Sequence, residues 1–234
     1  MRTARAPRPG HRTFALLLKR VEHGESDLVV ALFTERLGRV SALARGARKS
    51  QKRFGGALEP FHTLDVDMEE PGSGELFALR GATLGATRLV LTANLERMDA
   101  AGRALGWLRA ATPARNPEPG VWRAIVTLLD RLNAPGPVDP RLVLAEQGLA
   151  LLSAFGWGLE LERCVRCGRP CEPGRAALVD AERGGLVCRA CGGARLRLGG
   201  AARARFAAGA LVPEDVDVAV DLVERALRAH VGTA

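Results

Sequence analysis

With 234 residues, 47% of them hydrophobic and 26% charged, the chain can bury a substantial core, and its composition excludes a disordered or fibrous protein. The formal net charge of +8 favours a polyanionic partner, with nucleic acid ahead of an acidic membrane. Arginine far outnumbers lysine, and Ala and Gly are abundant, a bias that codon usage alone can impose, so only the clustering of charge carries weight.

The N-terminus is basic, but the apolar run from Phe14 to Leu18 is broken by Lys19 and is too short for a signal-peptide core. No apolar stretch is long enough to cross a bilayer, so a cytoplasmic location is expected. In chain order, Phe14, Leu16 and Leu18 alternate, residues 27–34 form a β-rich run, and Glu35 to Gly38 reads as a turn into a third strand at 39–44. A fourth run at 61–68 sets Leu64, Val66 and Met68 against Thr63, Asp65 and Asp67, and a fifth follows at 75–80. Short strands without intervening helices predict a small closed barrel of OB type over residues 1–80. Such barrels bind single strands through a cationic groove and aromatic stacking.

Charge clusters on this barrel. Between Arg39 and Leu58 there are six cations, Arg39, Arg45, Arg48, Lys49, Lys52 and Arg53, and no acid. Arg2, Arg5, Arg8 and Arg12 form a second cationic run, whereas residues 59–75 hold Glu59, Asp65, Asp67, Glu69, Glu70 and Glu75 without Lys or Arg. Two cationic runs flanking one small domain point to a face that tracks phosphates. Most of the phenylalanines here, Phe14, Phe33, Phe54, Phe61 and Phe77, sit at alternating strand positions that suit the core. Phe54, between Arg53 and Gly55, either stacks on a base or packs under its loop. With few stacking candidates, phosphate contacts should dominate and sequence preference should be slight.

Residues 81–234 read as helical. Leu84, Leu89, Leu91, Leu95, Met98, Leu105 and Leu108 recur at helical spacings up to Thr112-Pro113. Further helices are expected near 118–132, entered through Pro119, near 139–155, where Asp139-Pro140 supplies an N-cap and first-turn proline, and after Pro213-Glu214-Asp215. Trp107, Trp122 and Trp157 fall in this region and suit a core.

Within it, at about 160–195, lies the most specific signal. Cys164, Cys167, Cys188 and Cys191 form two C-x-x-C knuckles with twenty residues between them, a spacing that lets four thiolates close a tetrahedron around Zn²⁺. Each knuckle ends in glycine, which lets the backbone turn and aim its amides at sulfur, and residues 175–187 read as a hairpin turning at Glu182 to Gly185. Two disulfides would need an oxidising compartment. Four cysteines fill the shell, so the metal is expected to be structural, and His11, His23, His62 and His230 all lie away from the knuckles. Cys171 is either a spare thiol or a substitute ligand.

Enzymatic signatures are missing. His23-Gly24-Glu25 matches half of the zinc deaminase signature, but Val187 stands where that signature has proline, and Cys164 and Cys167 would go unexplained. Lys49-Ser50 lacks the preceding glycine of a phosphate-binding loop, and no H-E-x-x-H or G-x-S-x-G occurs. The acidic run 65–70 alternates along a strand and reads as a solvated face, not a metal-binding nuclease centre.

The run 45–61, RGARKSQKRFGGALEPF, and the run 151–168, LLSAFGWGLELERCVRCG, resemble the bacterial DNA repair and recombination mediator family RecO. The similarity extends over nearly the whole chain. It implies an α+β protein: an N-terminal OB-fold, then an α-helical domain with an inserted zinc module. It further implies binding to single- and double-stranded DNA, annealing of complementary strands without ATP, and work beside RecR and single-stranded DNA-binding protein in loading RecA, in the bacterial cytoplasm at the nucleoid. Some members lack the cysteines, which agrees with a stabilising metal. On this reading the loop from Arg45 to Arg53 binds one strand, while the arm from Arg2 to Arg12 or the helical domain holds a second strand or a partner. The rival reading is a zinc-containing RNA-binding or transcription-associated adaptor, which shares the charge and the knuckles but should prefer RNA or particular sequences.

Overall fold

The computed structural model describes residues 8–72 and 74–231, the Gln51 side chain apart, and Arg2 and Arg5 of the expected N-terminal arm lie outside them. Five strands, β1 (Gly10–His23), β2 (Asp27–Thr34), β3 (Gly38–Ala44), β4 (Thr63–Glu69) and β5 (Phe77–Ala86), close a barrel in the order β1-β2-β3-β5-β4. All pairings are antiparallel except β3 with β5, which is parallel, an arrangement of OB type. A four-residue helix, α1 (Gln51–Phe54), interrupts the connection from β3 to β4.

Pleating puts alternate residues inside. Ala15, Leu17, Val30, Leu32, Val40, Ala42, Leu64, Val66 and Met68 form the barrel core, capped by Phe54, Ala57 and Leu58 from the α1 segment. Of the five phenylalanines, most of them expected at core positions and Phe54 left open, Phe33, Phe54, Phe61 and Phe77 are buried, whereas Phe14 is 46% exposed. The phase of β1 differs from the Phe14–Leu16–Leu18 alternation because Ala15 and Leu17 point inward and a register shift follows Leu17.

The barrel unit reaches Thr92 and takes in a returning segment, Thr112–Trp122, so residue 80 falls inside β5. The segment is anchored on β3: Arg39 Nε donates to the Thr112 carbonyl at 2.8 Å, and the Arg115 amide donates to the Arg39 carbonyl at 2.8 Å. Gly38, at φ 66°, permits this approach, since a Cβ there would lie 2.1 Å from the Asn116 carbonyl oxygen. Trp122 meets Phe33 with ring centroids 5.9 Å apart, covering an outward face of β2.

After a short helix, α2 (Leu89–Thr92), the second unit comprises Ala93–Ala111 and Arg123–Ala234. It contains α3 (Leu95–Ala111), all but the first turn of α4 (Pro119–Leu132), and α5 (Pro140–Ala154). Asp139 caps α5 by accepting the Arg141 and Leu142 amides at 2.9 and 3.1 Å. Buried Arg97 of α3 donates to the carbonyls of Leu132, Ala134 and Gly136, satisfying the C-terminal end of α4. Beyond α5 come β6 (Ala177–Asp180), β7 (Gly185–Leu186) and β8 (Leu196–Leu198), a three-stranded sheet in the order β7-β6-β8, then α6 (Gly200–Ala208) and α7 (Val216–Val231). The hairpin expected at 175–187 is β6–β7; β8 and α6 were not anticipated. Trp107 and Trp122 are buried, and Trp157 stacks between Phe155 and His230 at centroid distances of 4.8 and 4.6 Å. No helix among the described residues is long and apolar enough to cross a membrane.

Candidate metal centre and nucleic-acid interface

The two knuckles flank the β6–β7 hairpin, and the glycine-rich turn between its strands brings them together. Gly185 adopts φ 145°, and a Cβ there would lie 2.2 Å from the Glu160 carbonyl oxygen, so glycine is required. The close approach lets Glu160 exchange hydrogen bonds with Gly184 and Leu186 at 2.9 and 2.8 Å, while the Val165 amide donates to Leu186. The first knuckle is thereby fastened along β7, from which the second emerges.

The sulfur atoms of Cys164, Cys167, Cys188 and Cys191 all lie within 4.8 Å of one another. A zinc–sulfur bond of about 2.3 Å in a tetrahedron requires sulfurs about 3.8 Å apart. Cys167 and Cys188 stand at 3.7 Å, and all five cysteines are free thiols rather than disulfides. Buried Cys164 accepts the Cys188 amide at 3.3 Å, and this contact, joined by the Arg166 and Cys167 amides, brings its thiol down to about 6. The amide aimed at sulfur thus comes chiefly from the opposite knuckle, not from the terminal glycines. Cys191 is pushed up to about 12 by hydrogen bonds to the Cys188 and Cys167 sulfurs, the behaviour of a thiol crowded by thiols. Four soft donors within 4.8 Å of one another, one already held toward the thiolate, fit a zinc ion or a similar thiophilic metal. Cys171 stands apart from the group, its carbonyl accepting from Arg203 at 3.2 Å.

Arg203, 7% exposed on α6, also donates to Leu161 and Glu172, so one buried guanidinium ties the loop around the first knuckle to that helix. Sequence reasoning missed this residue, because an arginine among alanines reads as surface. His23 and Glu25 lie at the β1–β2 turn of the barrel, outside the cysteine group.

The expected DNA-contacting residues separate into two sets. Arg39 is committed to the returning segment, and Arg48 pairs with Glu22 at 3.2 Å. Arg53 donates to the Arg45 carbonyl at 2.7 Å and lies over the Phe54 ring, 5.4 Å from its centroid. The side chains of Arg45, Lys49 and Lys52 are exposed and form no ion pair among the described residues. Phe54 is 2% exposed in the barrel core, so its ring packs under the loop and is not presented for stacking. The loop backbone is ordered: Asp27 accepts the Gly46 amide at 2.7 Å, Arg48 donates its amide to Ser26, and Ser50 caps α1 by accepting the Arg53 amide at 3.3 Å.

Half of the opposite charge run is paired with arginines internally. Arg12 makes a forked contact with Asp65 at 3.0 and 2.6 Å, Arg80 meets Glu69 at 2.6 Å, and Arg20 meets Glu59 at 2.5 Å. The Arg12 contact holds the Asp65 carboxyl below its ordinary range, and the Arg80 contact does the same for Glu69. Arg12 is therefore engaged across the sheet and is not an unpaired member of the expected arm.

The chain thus joins an OB-type barrel with an exposed basic loop to a helical unit holding a four-cysteine cluster. The family described as "Recombination protein O N terminal" matches residues 10–88, and "Recombination protein O C terminal" matches residues 92–233. Among similar proteins, the DNA repair protein RecO of Geobacter sulfurreducens is 34% identical over 230 residues, covering 94% of this chain and 92% of that protein. The RecO of Anaeromyxobacter sp. strain K is 38% identical over 176 residues, 75% of this chain and 68% of that protein. The chain belongs to the RecO family, whose place is DNA repair and recombination.

Proposed function

We infer that the protein is a recombination mediator that binds single- and double-stranded DNA, anneals complementary strands without ATP, and assists RecA loading beside RecR and single-stranded DNA-binding protein. The observation that carries this reading is the group of Arg45, Lys49 and Lys52, three unpaired cations on an ordered loop of an OB-type barrel. Annealing requires no covalent chemistry, only charge neutralisation that lets two strands approach. The buried Phe54 removes the nominated stacking platform, which supports phosphate-dominated, sequence-tolerant binding.

Cys164, Cys167, Cys188 and Cys191 would hold a structural zinc ion, which stabilises this small sheet by cross-linking its two ends. The protein then acts by binding and not by catalysis. Equilibrium binding to a single-stranded oligonucleotide tests the assignment. If about six phosphates are neutralised, log affinity falls against log salt with a slope of about −4. A flat salt response, or a strong preference for RNA over DNA, would favour the adaptor reading instead.

A further inference from the structure

A second cationic surface lies within the zinc-binding part of the helical unit. Arg169, Arg175, Arg189 and Arg197 line one open groove of about 670 Å³, in which Glu172 is the sole acid. All four arginines are exposed, and none of their side chains makes an ion pair or a hydrogen bond among the described residues. By contrast, Arg12, Arg80, Arg103, Arg131, Arg205 and Arg225 each have a carboxylate partner.

The backbone beneath these cations is fixed. The Arg169 carbonyl accepts the Cys164 amide at 2.9 Å, and the Arg189 carbonyl accepts the Gly192 amide at 3.0 Å. The Arg175 amide donates to Glu172 at 3.2 Å, and Arg197 is in register with Leu178 across β6 and β8. Counter-charge for the thiolate cluster is the simplest alternative role, but none of the four donates to sulfur; Cys164 is served by backbone amides. No aromatic ring lines the groove, so it offers nothing for base stacking. Guanidinium forks on a rigid frame match phosphate oxygens in pairs.

We propose that this groove binds the phosphate backbone of a second nucleic-acid strand, independently of the barrel loop. The inference rests on the reading of the barrel as a DNA-binding element and extends it: one protein engages two strands, which annealing requires.

The test is bridging of two non-complementary single-stranded oligonucleotides, one carrying a fluorescence donor and the other an acceptor, by the full-length zinc-loaded protein. Wild type should bring the labels together. A variant with Arg169, Arg175, Arg189 and Arg197 all changed to Gln should bind one strand but lose bridging at least tenfold. The salt slope of bridging, not of single-strand binding, should be shallower by about 3, since each single-strand phosphate contact contributes about 0.7. Should that variant lose zinc, Arg175→Gln with Arg197→Gln, farther along the chain from the knuckles, decides the matter: bridging halved or worse with zinc retained supports the groove. A folded, zinc-loaded groove variant that bridges like wild type overturns it, while wild-type binding that depends on the barrel loop leaves the barrel reading standing. Displacement of the bridge by polyglutamate but not by unlabelled single-stranded DNA would assign the groove to an acidic protein segment and also overturn the proposal.

Discussion

Asp27, the first residue of β2, accepts the amide proton of Gly46 at 2.7 Å and so fixes the start of the basic loop to the barrel wall. The same contact holds the Asp27 carboxyl below its ordinary range, with a smaller contribution from Ser26. A carboxyl lowered in the folded state contributes stability above its unfolded value, and that contribution is lost as pH falls through the folded value. The loop should therefore loosen at acid pH, below the normal aspartate range. Asp27→Asn should bring the same loosening at neutral pH, read as faster hydrogen exchange at the Gly46 amide with an unchanged barrel core. Exchange as slow as in wild type would mean that the Arg48 and Ser50 contacts hold the loop unaided.

Changing Arg45, Lys49 and Lys52 together to Gln should make the salt slope for single strands shallower by about 2, at about 0.7 per lost phosphate contact. Melting temperature should hardly move, because these side chains touch no partner. An unchanged slope would place the strand elsewhere on the protein.

Arg39 behaves differently although it belongs to the same sequence cluster. Its guanidinium is a structural donor to Thr112, so Arg39→Ala should destabilise the barrel unit by about 1.5–3 kcal/mol, the range for hydrogen bonds to charged groups, in urea unfolding. The salt slope for DNA should stay near the wild-type value. A reduced slope with intact stability would return Arg39 to the DNA surface.

Phe54 and Phe14 provide a matched pair. Phe54→Ala removes a ring from the barrel core and should cost about 3–5 kcal/mol, whereas Phe14→Ala, at a 46% exposed position, should cost far less. Thermal denaturation of the two variants distinguishes them, and a near-neutral Phe54→Ala would contradict the packing described here.

The cysteine site was legible because C-x-x-C spacing is a local constraint: each pair sits within one turn, and only the distance between pairs depends on the fold. Barrel class was legible from strand runs punctuated by Gly, Pro and turn residues. The phase of β1 was not, because burial there has two sources. Ala15 and Leu17 face the barrel interior, yet Leu16, paired with Phe33, is fully buried as well. Trp122, from a segment that returns after α3, covers Phe33, and no window around residue 16 contains that information. The helix α6 was hidden for another reason. Its buried positions are Arg203 and Phe206, and a buried arginine defeats any pattern that equates burial with apolarity. Likewise, a run of six cations from Arg39 to Arg53 without an acid could not reveal which members were already engaged by backbone carbonyls and carboxylates.

Metal removal gives a prediction independent of DNA. Cys164→Ser should abolish stoichiometric zinc and unfold the small sheet, since structural zinc contributes about 10–16 kcal/mol in isolated finger peptides. Cys171→Ser should retain one zinc per chain, because its sulfur is not among the clustered four. Zinc content measured after gel filtration separates these cases, and loss of metal from Cys171→Ser would make that thiol a ligand.

An ordered basic loop that presents Arg45, Lys49 and Lys52 without ion pairs should let this protein pair strands without chemistry, and strand annealing tests this most directly. Two complementary oligonucleotides are mixed without ATP across a salt series, with wild-type protein and with the Arg45, Lys49 and Lys52 variant. The account predicts acceleration by wild type that fades as salt rises and is largely lost in the variant. Folded, zinc-loaded wild-type protein that leaves the annealing rate at its spontaneous value would contradict it.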